Sequence, residues 1–340
     1  MDLVVNHTSI DHRWFTESRS GGRDNNLKRD RYYWKPPKYG DQGERLPPNN
    51  RRSSFGTGFA WKWDERSQEY YLRIFTKEQP DLNWENPEVR EAVHDVVNFW
   101  LENGIDGFMV GKTQGFPDAE IVGKSTYYQP AMHLYPNVGN VHEYLRELNL
   151  ATFAKYDHTM TVGETPYDPR HTDGARLRHP SRNEFDMILQ WEYMDIDRIP
   201  NSLLGWKPWS LPELKHIYSR WQTIMHDHGG WNSLCPEARK LSAKMLAMFL
   251  STLSGTLYIF QGQELGMVNI KGWELEEYND VVTLTYILEE KEKRTRETGQ
   301  ENSDISDLFR DIQKKGRDNG CTPMPWTSNA PYADFTTGTP

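Results

Sequence analysis

The chain is short of every feature that would take it out of the ordinary globular class. It has two cysteines in 340 residues, Cys235 and Cys321, too few for a disulfide framework. No apolar run approaches the roughly 18 residues of a spanning helix. The opening Met1-Asp2-Leu3-Val4-Val5-Asn6-His7 lacks the basic start and long apolar core of a signal peptide. No membrane partner is expected, and a cytoplasmic location is the default. Positive charge is also in deficit, with a formal net charge of -9. That argues against nucleic acid as a partner, because phosphate binding needs clustered cations. No internal repeat or low-complexity segment stands out.

What remains suits a soluble protein with a sizeable core: 36% hydrophobic and 26% charged residues, in a length that allows one large domain or two. The 13 Trp and 17 Tyr are many for this length. Flat aromatic rings suit sugar rings, although most such residues serve packing.

The segment Gly104-Ile105-Asp106-Gly107-Phe108-Met109-Val110-Gly111-Lys112 reads as a short buried strand. Asn103-Gly104 punctuates its start, and Ile105, Phe108 and Val110 supply apolar content. Leu3-Val4-Val5 is a strand fragment ending in Asn6-His7-Thr8. From Ser9 to about Pro80 helical periodicity is scarce. This stretch reads as an inserted β-rich subdomain, with Ala60-Trp61-Lys62-Trp63 and Tyr70-Tyr71-Leu72-Arg73-Ile74 as a hairpin across Asp64-Glu65-Arg66-Ser67. Asn86-Pro87-Glu88 opens a helix with a cap, a first-turn Pro and an acid. Further helices are expected over Asn140–Ala154, Leu211–Met225, Pro236–Leu253 and Ser306–Lys315. Further strands are expected at Thr159–Gly163, Phe185–Leu189 and Thr256–Phe260. The charge run Glu289-Glu290-Lys291-Glu292-Lys293-Arg294 reads as a solvated helix face. Strands alternating with helices predict a parallel sheet, and polar residues gathered at strand carboxyl ends favour a barrel with its site on that face.

These residues resemble glycoside hydrolase family 13, in its α-glucosidase and oligo-1,6-glucosidase (maltase/isomaltase) branch. Asp2-Leu3-Val4-Val5-Asn6-His7-Thr8-Ser9 is similar to the end of the family's third barrel strand. Lys77-Glu78-Gln79-Pro80-Asp81-Leu82-Asn83-Trp84-Glu85-Asn86-Pro87 resembles the close of its inserted domain. Thr161-Val162-Gly163-Glu164 resembles the fifth-strand motif bearing the acid/base Glu. Tyr258-Ile259-Phe260-Gln261-Gly262-Gln263-Glu264-Leu265-Gly266-Met267 resembles the eighth strand, and Lys314-Lys315-Gly316-Arg317-Asp318-Asn319 with Thr322-Pro323-Met324 the loop after it. The resemblance implies a (β/α)8 barrel, here incomplete. Its expected layout is a barrel strand over 1–8, the insert over 9–85, barrel over 86–272 and helices and loop over 273–340. The first two strand–helix units, with the metal loop some members carry there, and the terminal β-sandwich are not expected. The resemblance also implies sugar contacts from Asn6, His7, Gln261 and Glu264, and no metal or cofactor.

The departures fall on the chemistry. The family's fourth-strand motif has Gly-Phe-Arg, one residue, then the nucleophilic Asp. Here Gly107-Phe108 is followed by Met109 at the Arg position and Gly111 at the Asp position. After Gly230-Trp231-Asn232-Ser233-Leu234 the family has a seventh strand with Asn-His-Asp. Here Cys235-Pro236-Glu237 follows, and no strand is expected there. A retaining glycosidase needs two carboxyl groups about 5–5.5 Å apart. Asp106 does not substitute, being roughly 17 Å back along an extended strand and on its other face. Glu164 reads equally as a retained acid or a relic. Lys112 reads as a new base or, more simply, a solvated loop lysine. Cys235 reads as a reactive thiol or, more simply, the mark of a splice junction.

Three functions follow from these readings. The first is a degenerate relative that does not hydrolyse α-glucosides efficiently and keeps a binding or regulatory role. The second is a repurposed enzyme acting on another small molecule, for example in secondary metabolism, with help from Glu164. The third is an active α-1,4/1,6-glucosidase represented by a faulty gene model. In each the partner is a small-molecule ligand, an α-glucoside or a metabolite. Open strand edges give pairing between copies as one route to closure.

Overall fold

Asn86 caps helix α2 (Pro87–Glu102): its side chain accepts from the Glu88 N–H, and Pro87 occupies the first turn. The helix ends at Asn103, and Gly104 takes the left-handed conformation that a side chain would strain. The chain then enters strand β7 (Gly107–Val110). This computed structural model describes residues 1–20, 26, 28–54, 58–110, 139–165, 182–200, 202–227, 232–234, 240–270, 272–300 and 304–327. The chain divides into two compact units, Met1–Tyr193 with Ser219–Asn232, and Met194–Tyr218 with Ser233–Pro340.

The first unit is built on a parallel sheet. Strand β1 (Asp2–Leu3) pairs with β7, β7 with β8 (Met160–Thr165), and β8 with β9 (Met187–Gln190). Side chains alternate across it with a period of two. Leu3, Val5, Phe108 and Val110 pack into one cluster with Val89, Val93, Val97 and Leu101 of α2 and Tyr144 and Leu148 of helix α3 (Val141–Ala151). Arg90 ties the two helices through Glu147 at 2.8 Å. The packing behind β8 is close: a Cβ on Gly163 would stand 2.4 Å from the Phe185 ring.

Between β1 and α2 lies the insert. Strands β5 (Trp61–Asp64) and β6 (Glu69–Leu72) form the expected hairpin, β2 (Trp34–Lys35) pairs with β6, and β3 (Lys38–Tyr39) with β4 (Arg45–Leu46). One helix, α1 (Arg13–Arg19), was not legible there. It is capped by the His12 imidazole and buries Phe15 and Ser18, and two buried positions are too few to show a period. Phe15 sits among Tyr32, Trp34 and Tyr71. The insert returns along β1. Trp84 is buried and donates from its indole to the Val5 carbonyl at 2.8 Å.

The second unit holds helices α5 (Lys240–Ser251), α6 (Val281–Thr298) and α7 (Ser306–Lys315), and helix α4 (Leu211–Asp227) spans the boundary between the units. The charge run lies on α6, as expected. A strand forms where none was expected: β10 (Asn232–Leu234) runs parallel to β11 (Thr256–Leu257), with Ser233 opposite Thr256. Backbone pairing makes that strand, which the polar Asn232-Ser233 does not announce. Strand β11 stops three residues short of Phe260. The Phe260 N–H goes to the Gln263 side chain and its carbonyl to the Gln263 N–H, so the chain turns there.

Trp84→Ala should destabilise the first unit by about 3–5 kcal/mol, combining a core cavity with a lost buried hydrogen bond. The midpoint of urea unfolding checks it.

Candidate functional site

The carboxyl ends of β1, β7 and β8 hold the predicted residues of the first unit. In β7 the buried Phe108 and Val110 face the helices, so Gly107 and Met109 face the other side. Met109 lies in register between Asp2 of β1 and Val162 of β8. Glu164 shares the face of Val162, is half-buried, and stands in register with Leu189 of β9. Met109 and Glu164 are therefore on one face of the sheet. A thioether there offers neither charge nor a strong hydrogen bond. Gly111 lies outside the described residues, as do Lys112 and Cys235.

Asn6 and His7 follow β1 and are held by the end of the insert. The Leu82 N–H donates to the Asn6 carbonyl at 2.8 Å, and the Thr8 N–H to the Pro80 carbonyl at 3.2 Å. His7 bridges to Asp81 in antiparallel fashion. The His7 ring meets Phe75 edge-on with centroids 5.1 Å apart. Its Nε2 is 2.9 Å from the Gln79 amide nitrogen. Burial pushes His7 below the usual imidazole range, so it is neutral at physiological pH.

Asp81 is the residue that the sequence reading passed over. It lies in the run Gln79-Pro80-Asp81-Leu82-Asn83, whose resemblance to the close of the family's inserted domain was the available signal. Its Oδ2 accepts from the Ile74 N–H at 2.6 Å, and its Oδ1 has no partner. Burial pushes its carboxyl well above the usual range, against the opposing pull of that N–H and of Arg73. The Asn6 Oδ1 is likewise buried and unpartnered, and so is the His7 Nδ1. The end of β1 and the returning insert thus bring together polar atoms with capacity for a ligand hydroxyl or a water. No group of three metal-ligating side chains occurs among the described residues.

Gln261 and Glu264 belong to the second unit. Both are exposed on the turn that follows β11, closed by the Gly262 carbonyl accepting from the Leu265 and Met267 N–H groups. Among the described residues the free Cys321 is exposed as well.

The whole chain, residues 1–340, matches the model of the alpha-amylase catalytic domain. It is 42% identical over 364 residues to an alpha-glucosidase of Schizosaccharomyces pombe, covering 99% of this chain and 60% of that protein. It is 43% identical over 363 residues to an oligo-1,6-glucosidase of Parageobacillus thermoglucosidasius, covering 100% and 61%. The crystal structure of a trehalose-6-phosphate hydrolase of Bacillus licheniformis superimposes with a TM-score of 0.78 at 36% identity, covering 100% of this chain and 61% of that one. The chain therefore spans about three fifths of the length of these relatives. The aligned spans exceed its 340 residues, so the relatives carry internal residues that this chain lacks.

The raised Asp81 carboxyl sets a pH dependence. Below the unfolded value of about 4 both states are protonated, and its contribution to stability is complete. As pH rises through that value the unfolded state ionises while the folded one does not, so stability falls until the raised folded value is passed. Asp81→Asn should remove this loss. Urea unfolding of both proteins from acid to neutral pH should show the wild type losing stability relative to the variant.

Proposed function

The chain belongs to the alpha-amylase catalytic-domain family, whose fold is the (β/α)8 barrel, and we propose that it binds a small-molecule ligand without hydrolysing α-glucosides efficiently. The ligand class is an α-glucoside or a metabolite of similar polarity, and the role is binding or regulation. Met109 carries this reading. It stands on the same sheet face as Glu164, where the resemblance calls for an arginine, and two residues before Gly111, where it calls for the nucleophilic aspartate.

Retaining hydrolysis forms a covalent glycosyl–enzyme bond on one carboxylate while a second protonates the leaving oxygen. Glycine offers no nucleophile, and methionine offers no charge or strong hydrogen bond to orient a carboxylate against the oxocarbenium-like transition state. Losses of single groups of this kind cost several orders of magnitude in rate. The Asn-His-Asp motif is also missing from the sequence, with Cys235 directly after Leu234. Glu164, Asn6 and His7 remain. They support recognition of hydroxyl groups rather than bond cleavage.

The test is hydrolysis of a chromogenic α-glucoside by the purified chain beside Glu164→Gln and Gly111→Asp. All three should stay at the background rate, Gly111→Asp because Met109 remains. Turnover by the wild type that Glu164→Gln abolishes would overturn the reading. Glucose, maltose and isomaltose should raise the melting temperature of the wild type, and less so that of Glu164→Gln. No shift with any sugar or with a panel of polar metabolites would remove the binding role.

A further inference from the structure

Glu184 is a buried charge outside the candidate site. Its side chain is 0% exposed, and two guanidiniums and an imidazole converge on it. The His142 Nδ1 lies 2.7 Å from Oε2. Arg146 donates from Nη1 to Oε1 at 3.1 Å, and Arg182 donates from Nε to the same oxygen at 2.8 Å. His142 and Arg146 stand one turn apart on α3. The carboxylate therefore fastens that helix to the chain entering β9.

The entering chain is shaped around this fastening. Asn183 takes a left-handed φ of 53°, which asparagine tolerates better than most residues. Phe185 packs against the cluster that holds Tyr144, Leu148 and Phe153, and its ring lies against Gly163 of β8. The Asp186 carboxylate accepts from the Thr161 N–H at 2.7 Å and from the Thr161 hydroxyl at 2.8 Å. Phe185 and Asp186 thus hold β8 at two points, Gly163 and Thr161. Glu164 is the next residue along β8 and faces the other side of the sheet. Every one of these residues belongs to the first unit.

We infer that Glu184 is a positioning residue: by pinning residues 184–186 to α3, it fixes where β8 presents Glu164. The inference deepens the proposed function, and its meaning for recognition rests on that reading. A buried carboxylate among arginines adds little net stability, because desolvation offsets most of the attraction. Its effect here is to fix geometry. Removing one partner leaves buried charge uncompensated, and Phe185 then loses its seat against Gly163.

Carbon-13 NMR of the full chain, labelled at the glutamate carboxyl carbons, tests the inference without a ligand. Glu164→Gln identifies the Glu164 signal by its loss. The midpoint of its titration is compared in the wild type, Glu184→Gln, Arg146→Gln and Phe185→Leu, with far-UV circular dichroism to confirm folding. Glu184→Gln and Arg146→Gln remove charges of opposite sign, so a field acting through space moves the midpoint in opposite directions. A displaced Glu164 moves it the same way in both, and also in Phe185→Leu, which changes no charge. A shift of one sign in all three variants is expected, and Arg146→Lys should bring the midpoint back toward the wild-type value. If Glu184→Gln does not fold, Arg146→Gln and Phe185→Leu still decide, since the Arg146 side chain is 37% exposed. Unchanged midpoints would overturn the inference, as would opposite shifts in the two charge variants with Phe185→Leu at the wild-type value. Maltose affinity is measured beside it. The losses in Glu184→Gln and Glu164→Gln should not add in the double variant; additive losses count against positioning. A wild type that binds no maltose removes the proposed binding of that sugar, while the titration still decides whether Glu184 positions Glu164.

Discussion

The period of two in β7 and β8 is the constraint on which the rest depends. Phe108 and Val110 are buried against α2 and α3. A slip of one residue would turn them away and bring Met109 into the core in their place. The register of β7 between β1 and β8 is therefore fixed by hydrophobic burial. It fixes in turn which residues reach the opposite face, Met109 and Glu164 among them. The chain thus retains the packing half of the strand motif while the chemical half differs, because core and site occupy alternate positions on one strand.

The return of the insert is the second support. The run from Glu78 to Leu82 lies against the residues that follow β1, through hydrogen bonds from Thr8, Ile10 and Leu82. Trp84 then closes onto Val5. These contacts hold Asn6 and His7 in place without engaging all their polar atoms. Asp81, which accepts from the Ile74 N–H, has its carboxyl pushed well above the usual range by burial. Neutral acceptors and donors on a rigid frame suit the hydroxyls of a ligand better than they suit charge.

Much of the fold was legible because the elements carry strong local signals. Asn86-Pro87 marked the start of α2, and the hairpin of β5 and β6 formed across the residues anticipated for its turn. Helix α7 occupies the expected span. The failures have physical causes. Helix α1 is too short to show periodicity. Strand β10 owes its existence to backbone pairing with β11. Strand β11 ends early because Gln263 captures the Phe260 backbone. At the candidate site, Glu164, Asn6, His7 and Met109 are named by their motifs alone. Asp81 was missed because nothing in a sequence distinguishes a buried carboxyl with an unpartnered oxygen from a solvated one.

The central claim is that no carboxylate in this chain serves as a glycosyl-accepting nucleophile. The direct measurement is the intact mass of the protein after incubation with an α-configured cyclitol epoxide, a reagent that alkylates the nucleophile of retaining α-glucosidases. The account predicts an unchanged mass. A single stoichiometric adduct, mapped to an aspartate or glutamate and prevented by excess glucose, would contradict it.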